Sequence, residues 1–242
     1  MNRLVSAACA ATLLATPVWA QTQTTPAKPK KALILVTAAE IDARLILAPP
    51  APEGSPETLA EIAEVHREID SASPERLAQA RWDGEHESPE LLSPVLGPAF
   101  DLKALPATAE LLALVQNDAD AAAGAAKKTF PRKRPWAADP TIHACVTGEK
   151  PMNSYPSGHG TLGYALALTM AQVMPQRADL LLARAKAYGY SREICGDHYP
   201  SDVQASEALA TALIYTLLTK PEFQAKLEAA RTELTSKGLI TR

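Results

Sequence analysis

An all-α fold is the class this sequence predicts, and three observations predict it. Ala and Leu are abundant while aromatic residues make up only 5% and Gly numbers 11. That composition favours helices over the aromatic, β-branched and Gly-turn chemistry of sheets. Apolar residues recur at helical spacing through several long windows, as amphipathic helices require. The 20 prolines have to sit in loops and at helix starts, which divides the chain into helices of ordinary length. At 242 residues, 47% hydrophobic and 21% charged, the chain can bury the core of a single compact domain, and wholesale disorder is excluded. A formal charge of −3 argues against a nucleic-acid partner and against an acidic tail protein.

Taken in order, residues 1–20 (MNRLVSAACAATLLATPVWA) carry Arg3 in a positive n-region. An apolar run from Leu4 to Thr16, too short to span a bilayer, leads to the small-residue site Val18-Trp19-Ala20. This reads as a signal peptide that is cleaved off, with Gln21 as the mature N-terminus and the periplasm or the exterior as the destination. Its loss leaves 23 Lys and Arg against 27 Asp and Glu. No later stretch approaches 18 uninterrupted apolar residues, so no membrane partner is expected.

Residues 21–44 form a mature N-terminal segment, with a polar, mobile run at 21–31 and a strand or helix fragment at 32–38. Residues 45–242 form the helical domain. Residues 45–56 (LILAPPAPEGSP) read as an extended loop. Ser55 and Pro56 then look like the N-cap and first position of a helix that runs to Arg81, with a break near Ser71–Pro74. Residues 82–100, with Pro89, Pro94 and Pro98, hold short pieces only. Residues 108–128 are an Ala/Leu-rich helix, and residues 129–155, with four prolines, are irregular. Further helices are expected at about 158–173, 176–194 and 201–218, and a charged one at 221–237. Of Cys9, Cys145 and Cys195, the first leaves with the signal peptide. An even pair in an oxidising compartment points to a Cys145–Cys195 disulfide; two separate buried thiols are the alternative.

Three segments concentrate anion-binding residue types. Residues 127–135 (KKTFPRKRP) carry Lys127, a point charge, and Arg134, a planar fork that can hold two phosphate oxygens at once. Tyr155-Pro156-Ser157-Gly158-His159 precedes an apolar helix. The exposed N–H groups and dipole at such a helix start make an anion site. His159 beside it can donate a proton near neutrality. In the third, Arg192 ends one helix, His198 lies in a turn and Asp202 opens the next helix. Asp202 can hold the proton of one ring nitrogen of His198 and leave the other lone pair free to attack. Each segment has a bland reading too: a solvated basic run, a helix cap, an ion pair at a helix end. His66, His86 and His143 are read as structural or surface residues.

Together, Lys-x6-Arg-Pro, Pro-Ser-Gly-His and Ser-Arg-x5-His-x3-Asp, spaced by 20 and 31 residues, resemble the three-part signature of the type 2 phosphatidic acid phosphatase superfamily. The signal peptide, the Pro-rich stretch at 47–56 followed by Ser-Pro, and Ile194-Cys195-Gly196 are similar to the class A bacterial acid phosphatases within it. Asn153 and Gly160 stand where that class usually has Gly and Thr. The resemblance implies a metal-independent acid phosphatase without cofactor, acting on small-molecule phosphate esters and capable of phosphotransfer. His198 would be the nucleophile that forms a phosphohistidine, His159 the acid and Asp202 the orienter. Lys127, Arg134, Ser157, Gly158 and Arg192 would bind the phosphoryl oxygens. A vanadate-dependent haloperoxidase with the same cradle and a non-catalytic phosphate-binding protein are the alternatives, and a homo-oligomer stays open.

Overall fold

A computed structural model describes residues 31–145 and 148–241 of the chain. The signal peptide expected at 1–20, the mature start at Gln21 and most of the polar run that follows lie outside the described residues.

Most of the longer helices begin at the prolines and small hydroxyl residues of the sequence. Asp42 caps α1 (Ala43–Ile46), its carboxylate accepting from the Arg44 amide. Ser55 caps α2 (Pro56–Ser71) and Ser73 caps α3 (Pro74–Glu85), each hydroxyl accepting the N–H of the third helical residue with proline at the first. A 3-10 turn over Pro89–Leu92 runs into α4 (Ser93–Leu96). Then come α5 (Pro106–Thr129), the single turn α6 (Pro135–Ala138), α7 (Gly158–Val173), α8 (Ala178–Ile194), α9 (Pro200–Leu217) and α10 (Pro221–Ser236). The described residues contain no strand, only an isolated bridge between Arg132 and Asn153. The all-α expectation holds, and no helix among the described residues is long and apolar enough to cross a membrane.

Three local expectations differ. The loop expected from residue 45 starts two residues later, because the Asp42 cap starts a single helical turn that runs through Ile46. The segment at 32–38 is neither strand nor helix. Its backbone groups are taken by side chains of α5 instead: Asp118 accepts the amides of Ile34 (2.8 Å) and Leu35 (3.4 Å), and Asn117 donates to the Ala32 carbonyl (2.6 Å). With those groups satisfied no ladder is needed, and Val36 is free to enter the core. The helix expected from 176 begins at Ala178, because Pro175–Arg177 closes one 3-10 turn first.

Helix α7 is the centre of the molecule. Twelve of its sixteen residues are buried, which is why its sequence is apolar nearly all round, and it packs on α5, α8 and α9. Val36, Ile41, Ala43 and Leu47 join the same core. Helix α3 is fastened to α8 by a buried ion pair, Arg184 to Asp83 at 2.5 Å, with the Ser191 hydroxyl donating to Asp83 at 2.5 Å. A disulfide joins Cys145 to Cys195 across fifty residues of sequence, with Cα atoms 4.8 Å apart. The packing brings the C-termini of α5 and α8 together with the N-termini of α7 and α9, and the three basic and histidine-bearing segments occupy those four ends.

Candidate active site

The turn between α8 and α9 presents His198. Gly196 makes the turn possible: its φ is +66°, and a Cβ there would lie 2.5 Å from Ile142. The amides of Asp197 and His198 then donate to the Arg192 carbonyl, which fixes the ring against the end of α8. His198 is buried, with Nδ1 3.1 Å from Asp202 Oδ2 and Nε2 3.1 Å from Arg134 Nη1. With Nδ1 protonated toward the carboxylate, the Nε2 lone pair accepts from Arg134.

Asp202 is held on all sides. Its Oδ1 accepts from Arg132 Nη1 at 2.7 Å; its Oδ2 accepts from the Ser154 hydroxyl at 2.5 Å and the Tyr199 amide at 3.0 Å. The last contact also caps α9. Arg132 continues to Glu61 (2.6 Å) and Ser201 (2.8 Å) and lies over the Tyr199 ring at 3.9 Å.

The cations surround this pair. Arg134 is almost fully buried; it donates to the Lys150 and Asp197 carbonyls and to Glu149 at 2.9 Å. Lys127, in the last turn of α5, donates to the carbonyls of Asn153 (2.6 Å) and Ser154 (3.3 Å). Arg192 is completely buried, and Nη2 meets Asp197 at 2.8 Å. Its Nε and Nη1 have no hydrogen-bond partner among the described residues. Ser157 caps α7 by accepting from the Gly160 amide, so its hydroxyl hydrogen remains available to an anion.

His159, one residue into α7, is built differently. Its Nε2 lies 3.1 Å from the Gly84 carbonyl, its Nδ1 3.7 Å from Glu87 Oε1, and its ring 5.7 Å from Tyr188. Gly158 lies between Glu87 and Lys127.

Burial pushes both histidines well below the ordinary imidazole value. Arg134, Lys127 and Arg192 add to this at His198; Arg192, His198 and Arg134 add to it at His159. Burial, reinforced by Arg134, pushes Lys127 down to about 7. These shifts are the signature of an excess of positive charge in a desolvated pocket.

The structure thus brings together Lys127, Arg134, Ser157, Gly158, His159, Arg192, His198 and Asp202. The other histidines stand apart from it. His66 pairs with Asp139 at 3.0 Å, His86 stacks on Trp82, and His143 is exposed.

Sequence reasoning missed Arg132, Ser154, Asp197 and Glu149. A signal for Arg132 was present. Two prolines, Pro131 and Pro135, bias the segment between them toward extended backbone, where alternate side chains share a face. Arg132 and Arg134 accordingly point inward, while Lys133 points out to Glu53. The unusual Gly160 also acquires a reason: a Cβ there would lie 2.1 Å from Ser206 Oγ, so Ser206 fills the space a side chain would take.

A depression of about 880 Å³ near Pro106 and Glu233 touches none of these residues. A cavity of about 460 Å³ opens on Lys127, Gly158 and Glu87.

Comparison with known proteins matches residues 108–225 to the PAP2 superfamily. A non-specific acid phosphatase of Providencia stuartii is 31% identical over 244 aligned positions, covering 96% of this chain and 98% of the relative. An acid phosphatase of Zymomonas mobilis is 33% identical over 206 positions, covering 80% and 75%. A non-specific acid phosphatase of Salmonella typhimurium is 35% identical over 154 positions, covering 61% of each chain.

Proposed function

Since the chain belongs to the PAP2 superfamily and is an acid phosphatase, we propose that it is exported and hydrolyses soluble phosphomonoesters by two displacements through a phosphohistidine on His198. The observation that carries this reading is Arg192, whose two unpartnered donors lie fully buried beside both histidines. An unsatisfied buried donor costs on the order of 1–3 kcal/mol and a charged one more. A phosphoryl group supplies the missing acceptors.

The phosphoryl oxygens are shared among Arg192, Arg134, Lys127, the Ser157 hydroxyl and the Gly158 amide. An oxygen drawing the Arg134 guanidinium toward itself releases the Nε2 lone pair of His198 that Arg134 otherwise engages. Nε2 attacks phosphorus, the bond to the leaving oxygen breaks, and the fixed cations stabilise the charge spread over the equatorial oxygens. Asp202 holds Nδ1–H and stabilises the imidazolium as it forms. His159 transfers its proton to the leaving oxygen, then takes one from the water that cleaves the P–N bond. An alcohol in place of that water gives phosphotransfer.

His159 has to be protonated for the first step; burial and the nearby Arg192 lower its affinity for that proton, and a bound phosphate dianion offsets the arginines. Activity therefore declines as pH rises, consistent with an acid phosphatase.

A panel of phosphate esters assayed across pH with EDTA present tests the proposal. Hydrolysis should persist with chelator, because the cations are side chains, and vanadate should inhibit competitively as a mimic of the bipyramidal transition state. Activity lost on chelation and restored by a divalent ion would end the metal-independent mechanism.

A further inference from the structure

In-line displacement puts the leaving oxygen on the side of phosphorus opposite His198 Nε2. In the proposed mechanism His159 marks that side. Its Nε2 is tied to the Gly84 carbonyl, so Nδ1, facing Glu87, is the nitrogen open to the leaving group. Glu87 and Gly158 also line the 460 Å³ cavity. That volume lies in the range of small-molecule sites, and the cavity is where the rest of the substrate would extend.

The walls of this cavity say what fits. Its α5 side is Ala121, Ala123 and Gly124, and no aromatic or large aliphatic side chain lines it. An apolar leaving group would find little to pack against. The rim carries charge. Asp120 is engaged by Lys31, and Glu87 stands at the His159 end. Lys127 already donates to two carbonyls. Lys128 and Lys150 line the cavity as well, both are exposed, and neither has a carboxylate partner among the described residues.

We propose that this cavity is a leaving-group subsite in which Lys128 and Lys150 favour phosphomonoesters whose leaving group carries a second anionic group, a carboxylate or another phosphate. The proposal rests on the phosphatase reading and adds the chemical class of ester that the site prefers. A second anion placed there meets two exposed ammonium groups, so the preference is electrostatic and sensitive to salt.

A matched pair of esters tests it. 3-Phosphoglycerate and glycerol 3-phosphate differ only in a carboxylate against a hydroxymethyl group. At low ionic strength kcat/KM should favour 3-phosphoglycerate by about fivefold, the scale of two partly solvated charge pairs. The ratio should fall to about one in Lys128→Gln/Lys150→Gln and invert in Lys128→Glu/Lys150→Glu. A charge-matched control, Lys226→Gln/Arg231→Gln on α10, should leave it unchanged. A wild-type ratio at or below one, or a ratio that survives the double substitution, overturns the subsite. Failure of the wild-type enzyme to hydrolyse either ester would instead overturn the phosphomonoesterase reading beneath it.

Discussion

The two histidines of the site sit in opposite kinds of surroundings. His198 lies in a turn held at every joint: Asp202 on one nitrogen, Arg134 on the other, and Asp202 itself fixed by Arg132, Ser154 and the Tyr199 amide. His159 has one backbone carbonyl at hydrogen-bond distance, a carboxylate at 3.7 Å, and a cavity of about 460 Å³ opening beside it at Gly158. As the proposed nucleophile, His198 must meet the same phosphorus atom in every turnover, so a small misplacement would be expensive. As the proposed acid, His159 must reach leaving oxygens on differently shaped substrates, and a loosely bounded end suits that. In the proposed mechanism one end of the site serves invariant chemistry and the other variable substrates.

His198→Ala should abolish turnover and leave no trappable phosphohistidine. His159→Ala should lower hydrolysis of alkyl phosphates by about 10²- to 10⁴-fold, the usual share of a general acid. It should still be phosphorylated by aryl phosphates with good leaving groups. Phosphate mapped to position 159, or trapped in the His198 variant by a quench that avoids acid, would reverse the comparison.

The next test concerns the joints around the nucleophile. Asp202→Asn should cost up to about 10⁴-fold in kcat, the scale seen when a histidine loses its orienting carboxylate. Arg132→Gln should cost less, roughly tenfold to a hundredfold, and mainly in kcat, because Arg132 touches Asp202 and not the phosphoryl group. A loss confined to KM would mean that Arg132 binds substrate directly.

Both ends share a depressed histidine pKa, and its sign fixes a stability profile. A group whose folded pKa lies below its unfolded value of about 6.5 leaves the native state with fewer protons than the unfolded state at acid pH. Stability is therefore present above about 6.5 and lost as pH falls below it. Thermal melts of the ligand-free protein should show a steeper acid-side loss than those of His159→Gln. Vanadate or phosphate, by offsetting Arg192 and Arg134, should reduce that loss. Parallel slopes with and without the anion would contradict the electrostatic account.

The smallest effect concerns the backbone under His159. Gly160→Thr forces a side chain onto Ser206 and should destabilise by about 1–3 kcal/mol, as overpacking does. Adding Ser206→Gly should recover part of the loss, read by denaturant midpoints.

Legibility followed sequence distance. Ser55-Pro56 and Ser157-Gly158 announce helix starts because the cap and the amide it satisfies are three residues apart. His198 and Asp202 are four apart, close enough to be read as a pair. Arg132 was passed over because its partners Glu61 and Asp202 lie about seventy residues away on either side. Asp118 gave no sign that it would receive the backbone of Ile34 and Leu35, 84 and 83 residues earlier.

What the sequence determined by itself is the helical class, the positions of most helix starts, and which eight residues are proposed to hold and transfer a phosphoryl group. All of these are properties of local backbone preference or of side-chain type. The tertiary structure decided which charges face solvent and which are buried: Lys133 points out while Arg132 and Arg134 on either side point in, and two Arg192 donors are buried without partners among the described residues. It also decided that Asp202 is locked and His159 is not. Those outcomes depend on which helix ends meet, and that is settled by burying the apolar surface of α7 against α5, α8 and α9, a global balance of packing that no short window of the chain contains.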